Sequence, residues 1–211
     1  MNDQNFFIVF EGLDGAGTTT QTGRLHEYLT SAGRGSFETF EPTSGPVGAF
    51  IRDILGGRIP HNDAPFRPGE ASMALLFAAD RLAHAGEIHA QLEAGNNVVC
   101  DRYVLSSMAY QTLDPSMSGE RVVDINRGCA VPHLTLFLSV PVDVCLERLG
   151  NRGDSPSIYE KGDFLRTIAG NYEELVNLYQ SHFGELVTID GTASPDEVHA
   201  ACVSEVEKRI G

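Results

Sequence analysis

The residues best suited to chemistry lie near the start of the chain, at Gly12-Leu13-Asp14-Gly15-Ala16-Gly17-Thr18-Thr19-Thr20. Their spacing is that of the phosphate-cradling loop G-x-x-x-x-G-K-[ST], except that Thr18 stands at the lysine position. Backbone N–H groups from Gly12 and from Gly15, Ala16, Gly17, Thr18, Thr19 and Thr20 are candidates to hold phosphate oxygens. The Thr19 hydroxyl is a candidate Mg²⁺ ligand. The chemistry implied is polyphosphate binding, without the cation that usually accompanies it.

A second candidate group is Asp101-Arg102-Tyr103. A carboxylate beside such a loop can hold Mg²⁺ directly or through water. The adjacent guanidinium can clamp a phosphate with two parallel hydrogen bonds. Further along, Ser107 and Gln111 lie four apart, with Tyr103 and Tyr110 flanking them; these hydroxyl and amide groups suit a base and a sugar. Phe77 and Arg81 also lie four apart and could stack on and hydrogen-bond a base, although a core Phe with an Arg at its rim fits the spacing equally well. Asp80 and His84 make a parallel pair.

These residues need elements to position them. Phe6–Phe10 is a continuous apolar run, as expected of a strand buried on both faces of a parallel sheet. Ser36–Phe40, Asn97–Cys100, Thr135–Val140 and Leu186–Ile189 are the other strand candidates. Helical patterns lie between them, at Thr19–Ser31 and from about Glu70 to Ala94 among others. The alternation predicts an α/β fold with a five-stranded parallel sheet between two helical layers, in one domain spanning residues 1–211. Ligands of such sheets bind beyond the carboxyl ends of the strands. Those ends read Glu11-Gly12, Glu41-Pro42-Thr43 and Asp101-Arg102-Tyr103. Leu149 to Glu160 reads as a loop with Gly150, Gly153, Arg148 and Arg152, in the manner of a closing lid. Leu165, Ile168, Tyr172, Leu175 and Tyr179 then mark the buried face of a helix.

Composition narrows the partners. A net charge of −14 argues against nucleic acid or an anionic membrane. The 15 basic residues include only two lysines, Lys161 and Lys208, so the cation replacing the loop lysine is expected to be an arginine. The four cysteines have no metal-type spacing, and no signal peptide or long apolar run is present, so a reduced, cytoplasmic protein is expected.

Taken in order, the segments Phe10-Glu11-Gly12-Leu13-Asp14-Gly15-Ala16-Gly17, Thr19-Thr20-Gln21, Glu41-Pro42 and Leu76-Phe77-Ala78-Ala79-Asp80-Arg81 resemble the bacterial thymidylate kinases. So do Asp101-Arg102-Tyr103 through Ala109-Tyr110-Gln111, Leu134–Leu138 and Leu146–Leu149. The resemblance implies a P-loop NTPase-type fold with a short helical lid, and Mg²⁺-dependent transfer of phosphate from ATP to dTMP in a homodimer. It would give Asp14 the 3′-hydroxyl, Phe77 the face of thymine and Arg81 a base carbonyl. Arg102 would take the dTMP phosphate, while Ser107 and Gln111 lie near the base and Tyr110 near C2′. Thr19 and Asp101 would serve the metal. Asp14, Asp101, Arg102 and Arg152 would be the catalytic set. The chain departs from the pattern at Thr18, at Gly15, where some relatives carry arginine, at Phe40, where relatives often have arginine, and at Thr43-Ser44, where Gly-Gly is common. Arg152 is the best candidate for the missing cation, with Arg148, Lys161 and Arg52 as others. The alternative implied is a nucleotide-binding homologue of impaired activity, acting as a sensor or partner subunit.

Overall fold

In the computed structural model, residues 5–58, 69–150 and 158–210 are described. Five strands form one parallel sheet: β1 (Phe7–Gly12), β2 (Ser36–Phe40), β3 (Asn97–Asp101), β4 (Leu134–Ser139) and β5 (Leu186–Asp190). Their order is β2-β3-β1-β4-β5. The chain leaves β1 toward one edge and later crosses to the other, so the crevice lies at the carboxyl end of β1, between β3 and β4. The register pairs Phe10 with Asp101 and Gly12 with Leu138, bringing the glycine loop level with the Asp-Arg-Tyr turn.

β1 is buried along its whole length, which is why it reads as an unbroken apolar run rather than an alternation. Full burial contributes about 1.5–3 kcal/mol for each large apolar side chain. On one face pack α1 (Thr18–Ser31) and α8 (Pro195–Ile210). On the other lie α3 (Glu70–Glu93), α4 (Val104–Gln111), α5 (Gly119–Ile125) and α7 (Ile158–Phe183). Leu165, Ile168, Tyr172 and Tyr179 are the core side of α7, as their spacing predicts. α2 (Pro46–Leu55) packs on α3 through Ile51, Ile54 and Met73. The three-layer arrangement agrees with the sequence.

Boundaries moved at functionally relevant places. β1 and β3 extend to Gly12 and Asp101, one or two residues beyond their apolar runs, because ladder bonds do not require apolar side chains. The segment expected as loop from Leu149 to Glu160 is helical at both ends: α6 (Val142–Gly150) runs to Gly150, and α7 begins at Ile158. Arg152 lies outside the described residues. All four cysteines are buried and free. Among the described residues, no helix is long and apolar enough to cross a membrane.

Candidate active site

The glycine loop turns from β1 into α1 with Gly15 at φ +87° and Gly17 at φ +100°. L side chains rarely adopt such backbone angles. A Cβ on Gly15 would also lie 2.7 Å from the Cys145 carbonyl oxygen on α6, so no side chain, arginine included, fits there. Past Gly17 the space is open, with nothing within 4 Å of where a Cβ would be. The loop and the start of α1 line a cavity of ≈ 360 Å³ with Gly15, Gly17, Thr18, Thr19 and Arg102. Thr18 is buried at its edge.

Thr19 Oγ1 donates to Asp101 Oδ2 at 2.5 Å. Asp101 Oδ1 is buried and has no hydrogen-bond partner among the described residues. A hydroxyl and a carboxylate with an uncommitted oxygen are the hard donors Mg²⁺ takes when substrate phosphates and water complete its shell. Among the described residues no group of three or more acidic, His or Cys side chains could hold a metal by itself. Thr19 and Asp101 therefore fit Mg²⁺ in its nucleotide-assisted form.

Arg102 stands between two cavities. It has φ +67°, a left-handed conformation that costs a non-glycine residue on the order of 1–3 kcal/mol. Its backbone N–H still donates to the Phe10 carbonyl, and the turn sends its side chain back over the loop. Nη2 bonds Asp14 Oδ1 at 2.6 Å; Nη1 bonds the Gly12 carbonyl and Ser106 Oγ, both at 3.2 Å. Burial disfavours the guanidinium charge, but Tyr172, Tyr110 and Asp14 outweigh it and raise its pKa, so it stays cationic. Tyr110 Oη donates to Asp14 Oδ2 at 3.1 Å, and burial pushes its phenol up. Asp14, Arg102 and Tyr110 thus form one hydrogen-bonded group.

Asp14, Thr19 and Arg102 also line the larger cavity, of ≈ 970 Å³. Phe77, Arg81, Ser107 and Gln111 contribute to its wall. Ser107 and Gln111 share a face of α4, both buried, and Gln111 Oε1 has no partner among the described residues. Arg81 is only 1% exposed. Its Nε bonds Glu41 Oε2 at 2.7 Å, Nη1 bonds Asn126 Oδ1 at 2.6 Å, and Nη2 reaches the Tyr103 carbonyl and Ser107 Oγ. Burial alone would lower its pKa, but the Glu41 charge raises it. The sequence pairing of Phe77 with Arg81 therefore does place both side chains on the cavity.

Several strand-end residues have a different task from the one their position suggests. Glu11 lies inside β1, fully buried, and accepts hydrogen bonds from Tyr103 N (2.9 Å), Ser106 N (3.0 Å) and Ser106 Oγ (2.5 Å). It caps α4, whose own N-cap residue supplies no side-chain bond. Burial raises its pKa against those three donors. Tyr103 is also buried, with its ring under the Arg81 guanidinium at 5.0 Å. Arg52 bonds the Pro42 and Thr43 carbonyls and lies over the Phe40 ring, while Arg148 bonds the Gly191 and Ala16 carbonyls. The side chain of Lys161, like Arg152, lies outside what is described. Sequence reasoning missed Phe164, which lines both cavities from α7 and meets Tyr110 edge-on; an aromatic residue shortly after the Leu149–Glu160 segment was its only signal.

A phosphate loop at a sheet switch point, beside a deep cavity that shares one arginine with it, defines a P-loop kinase of small phosphorylated substrates. The family model for thymidylate kinase matches residues 10–202. The chain is 36% identical over 209 residues to a probable thymidylate kinase of Methanococcus aeolicus, covering 98% of each chain. It is 37% identical over 196 residues to a probable thymidylate kinase of Methanocaldococcus jannaschii, with 92% of each covered. A putative thymidylate kinase of Treponema pallidum is 34% identical over 206 residues, with 94% of this chain and 93% of the relative covered. The chain belongs to the thymidylate kinase family.

Proposed function

We propose that this chain transfers the γ-phosphoryl group of ATP to dTMP, forming dTDP, with Mg²⁺ bound at Thr19 and Asp101. The carrying observation is Arg102, which faces the loop cavity and the larger cavity at once. ATP lies with its phosphates on the backbone from Gly12 to Thr20. The dTMP base enters between Phe77, Arg81, Ser107 and Gln111, its 3′-hydroxyl meets Asp14, and Tyr110 crowds C2′. The nucleophile is a phosphate oxygen that is already an anion, so no general base is required. Arg102 neutralises and orients it toward the donor, which leaves catalysis to positioning and charge. Thr19 and Asp101 would hold the Mg²⁺, which when bound would supply charge neutralisation to the donor phosphates.

Thr18 brings no charge, and Arg102 is the one cation among the described residues that lines the loop cavity. Arg52 and Arg148 are held by carbonyl oxygens. Arg152, in a lid over about residues 149–160, supplies the cation at the donor phosphates, and its closure excludes water. The whole of residues 1–211 acts as one domain. The protein is a homodimer, paired through the α3 face on which Leu75 (59%) and Leu82 (44%) stand exposed. Four buried free thiols suit a reducing cytoplasm.

Purified protein with ATP, Mg²⁺ and dTMP should form ADP only when dTMP is present. Binding of dTMP without turnover would overturn the assignment and leave a sensor or partner subunit. Sedimentation of Leu82→Asp against the parent chain tests the dimer.

A further inference from the structure

Arg81 is a guanidinium held almost wholly inside the protein, and its partners leave it little freedom. It has five N–H donors. Four hydrogen bonds, to Glu41, Asn126, Tyr103 and Ser107, are made by Nε, Nη1 and Nη2. Nη1 bonds only Asn126 among the described residues, so its second hydrogen is the donor left for a ligand. A donor fixed in that way pairs with a carbonyl and leaves an amino group facing N–H against N–H.

What fixes it lies behind the cavity wall. Asn126 Oδ1 takes the first Nη1 hydrogen, and Asn126 Nδ2 is tied to the Val122 carbonyl at 2.8 Å, so the acceptor cannot swing away. Glu41 binds Arg81 through Oε2 and turns Oε1 toward His84 Nδ1 at 3.1 Å. His84 Nε2 in turn meets Thr39 Oγ1 at 2.8 Å. A carboxylate only accepts, so Nδ1 carries the hydrogen directed at Glu41, while Nε2 pairs with the Thr39 hydroxyl. The chain Thr39–His84–Glu41 thus anchors the carboxylate on the side away from Arg81. Neither His84 nor Asn126 lines the cavity.

We infer that His84 and Asn126 are positioning residues for base selection: they hold Glu41 and Arg81 so that one guanidinium N–H is presented to a pyrimidine carbonyl. The inference deepens the proposed dTMP site and rests on it. Loss of either residue frees the guanidinium to tilt, which weakens binding of the correct base and blunts rejection of one with an amino group at that position.

The test measures dTMP and dCMP turnover by the full chain and its variants. His84→Asn keeps an amide N–H where Nδ1 stands; His84→Gln moves it to the Nε2 position. His84→Gln and Asn126→Ala should raise KM for dTMP by about tenfold or more, with kcat changed far less. Both should narrow the dTMP over dCMP preference, while His84→Asn should stay close to the parent in both respects. In an Arg81→Lys background His84→Gln should add nothing further. Equal KM and selectivity in parent, His84→Asn and His84→Gln would overturn the inference, as would a lowered melting temperature with unchanged selectivity. Absence of dTMP turnover in the parent chain would instead overturn the dTMP assignment, so the two failures are distinct.

Discussion

Thr19 Oγ1 and Asp101 Oδ2 lie 2.5 Å apart, which joins the first turn of α1 to the end of β3 across the crevice. The two residues are far apart in sequence and on different elements, yet they present one oxygen cluster beside the glycine loop. Asp101→Asn keeps the shape but removes the charge, and Thr19 loses a carboxylate acceptor. Turnover should fall by about 10²–10³, and the Mg²⁺ concentration for half-maximal activity should rise. Titration of Mg²⁺ against initial rate checks both; an unchanged Mg²⁺ dependence would remove Asp101 from the metal site.

Arg102 offers a similar contrast. Arg102→Ala should lower kcat/KM for dTMP by about 10²–10³, because a preorganised donor is lost from between the two cavities. Arg102→Lys should recover little of this. Lysine keeps the charge but cannot bond Asp14, Gly12 and Ser106 together from one planar fork. Steady-state kinetics on both variants decide it, and a fully active lysine variant would show that charge alone suffices.

The missing lysine is best tested as a pair of substitutions. Arg152→Ala should cut kcat by about 10²-fold in the parent chain. In a Thr18→Lys background the same change should cost much less, since the new ammonium would stand beside the donor phosphates. A coupling energy near zero in this double-mutant cycle would show that Arg152 does not substitute for the lysine.

Glu11 shows how far the sequence could be read. The strand, the glycine spacing and the Asp-Arg-Tyr turn were legible because each rests on local pattern: an apolar run, a loop register, a strand end. Glu11 sits at just such an end, and its position suggested a ligand-facing carboxylate. It is instead an internal cap for α4, a role set by β1–β3 pairing and invisible to spacing. Arg81 was legible as a neighbour of Phe77, but Asn126, which holds it, comes from a helix end with no motif. The loop pattern of Leu149 to Glu160 did not reveal that its ends are helical, because Gly150 reads as a breaker although α6 runs to it, and α7 begins at Ile158.

Glu11→Ala would leave three donors inside the protein without their acceptor. Stability should fall by on the order of 3 kcal/mol, at about 1 kcal/mol or more per stranded donor. Activity should fall further than stability accounts for, because Ser106 also contacts Arg102. Denaturant melts alongside kinetics below the melting transition separate the two effects; a stability change without a kinetic one would confine Glu11 to capping.

His133 gives a pH dependence whose sign can be worked out. Its Nδ1 accepts the Phe7 N–H at 2.9 Å, which requires an unprotonated nitrogen, and burial lowers its pKa from the ordinary 6.5. The unfolded chain therefore takes up the proton at higher pH than the folded one. The stability that this group contributes is complete above about pH 6.5 and is lost as pH falls through the depressed folded value. His133→Asn can place a carbonyl oxygen near Nδ1, but it does not titrate. Between pH 8 and pH 5.5 the parent should lose more melting temperature than His133→Asn, and the difference between the two curves isolates this histidine from every other titrating group. Parallel curves would mean that the Phe7 bond yields as the ring protonates, so that β1 is anchored there by its ladder bonds alone.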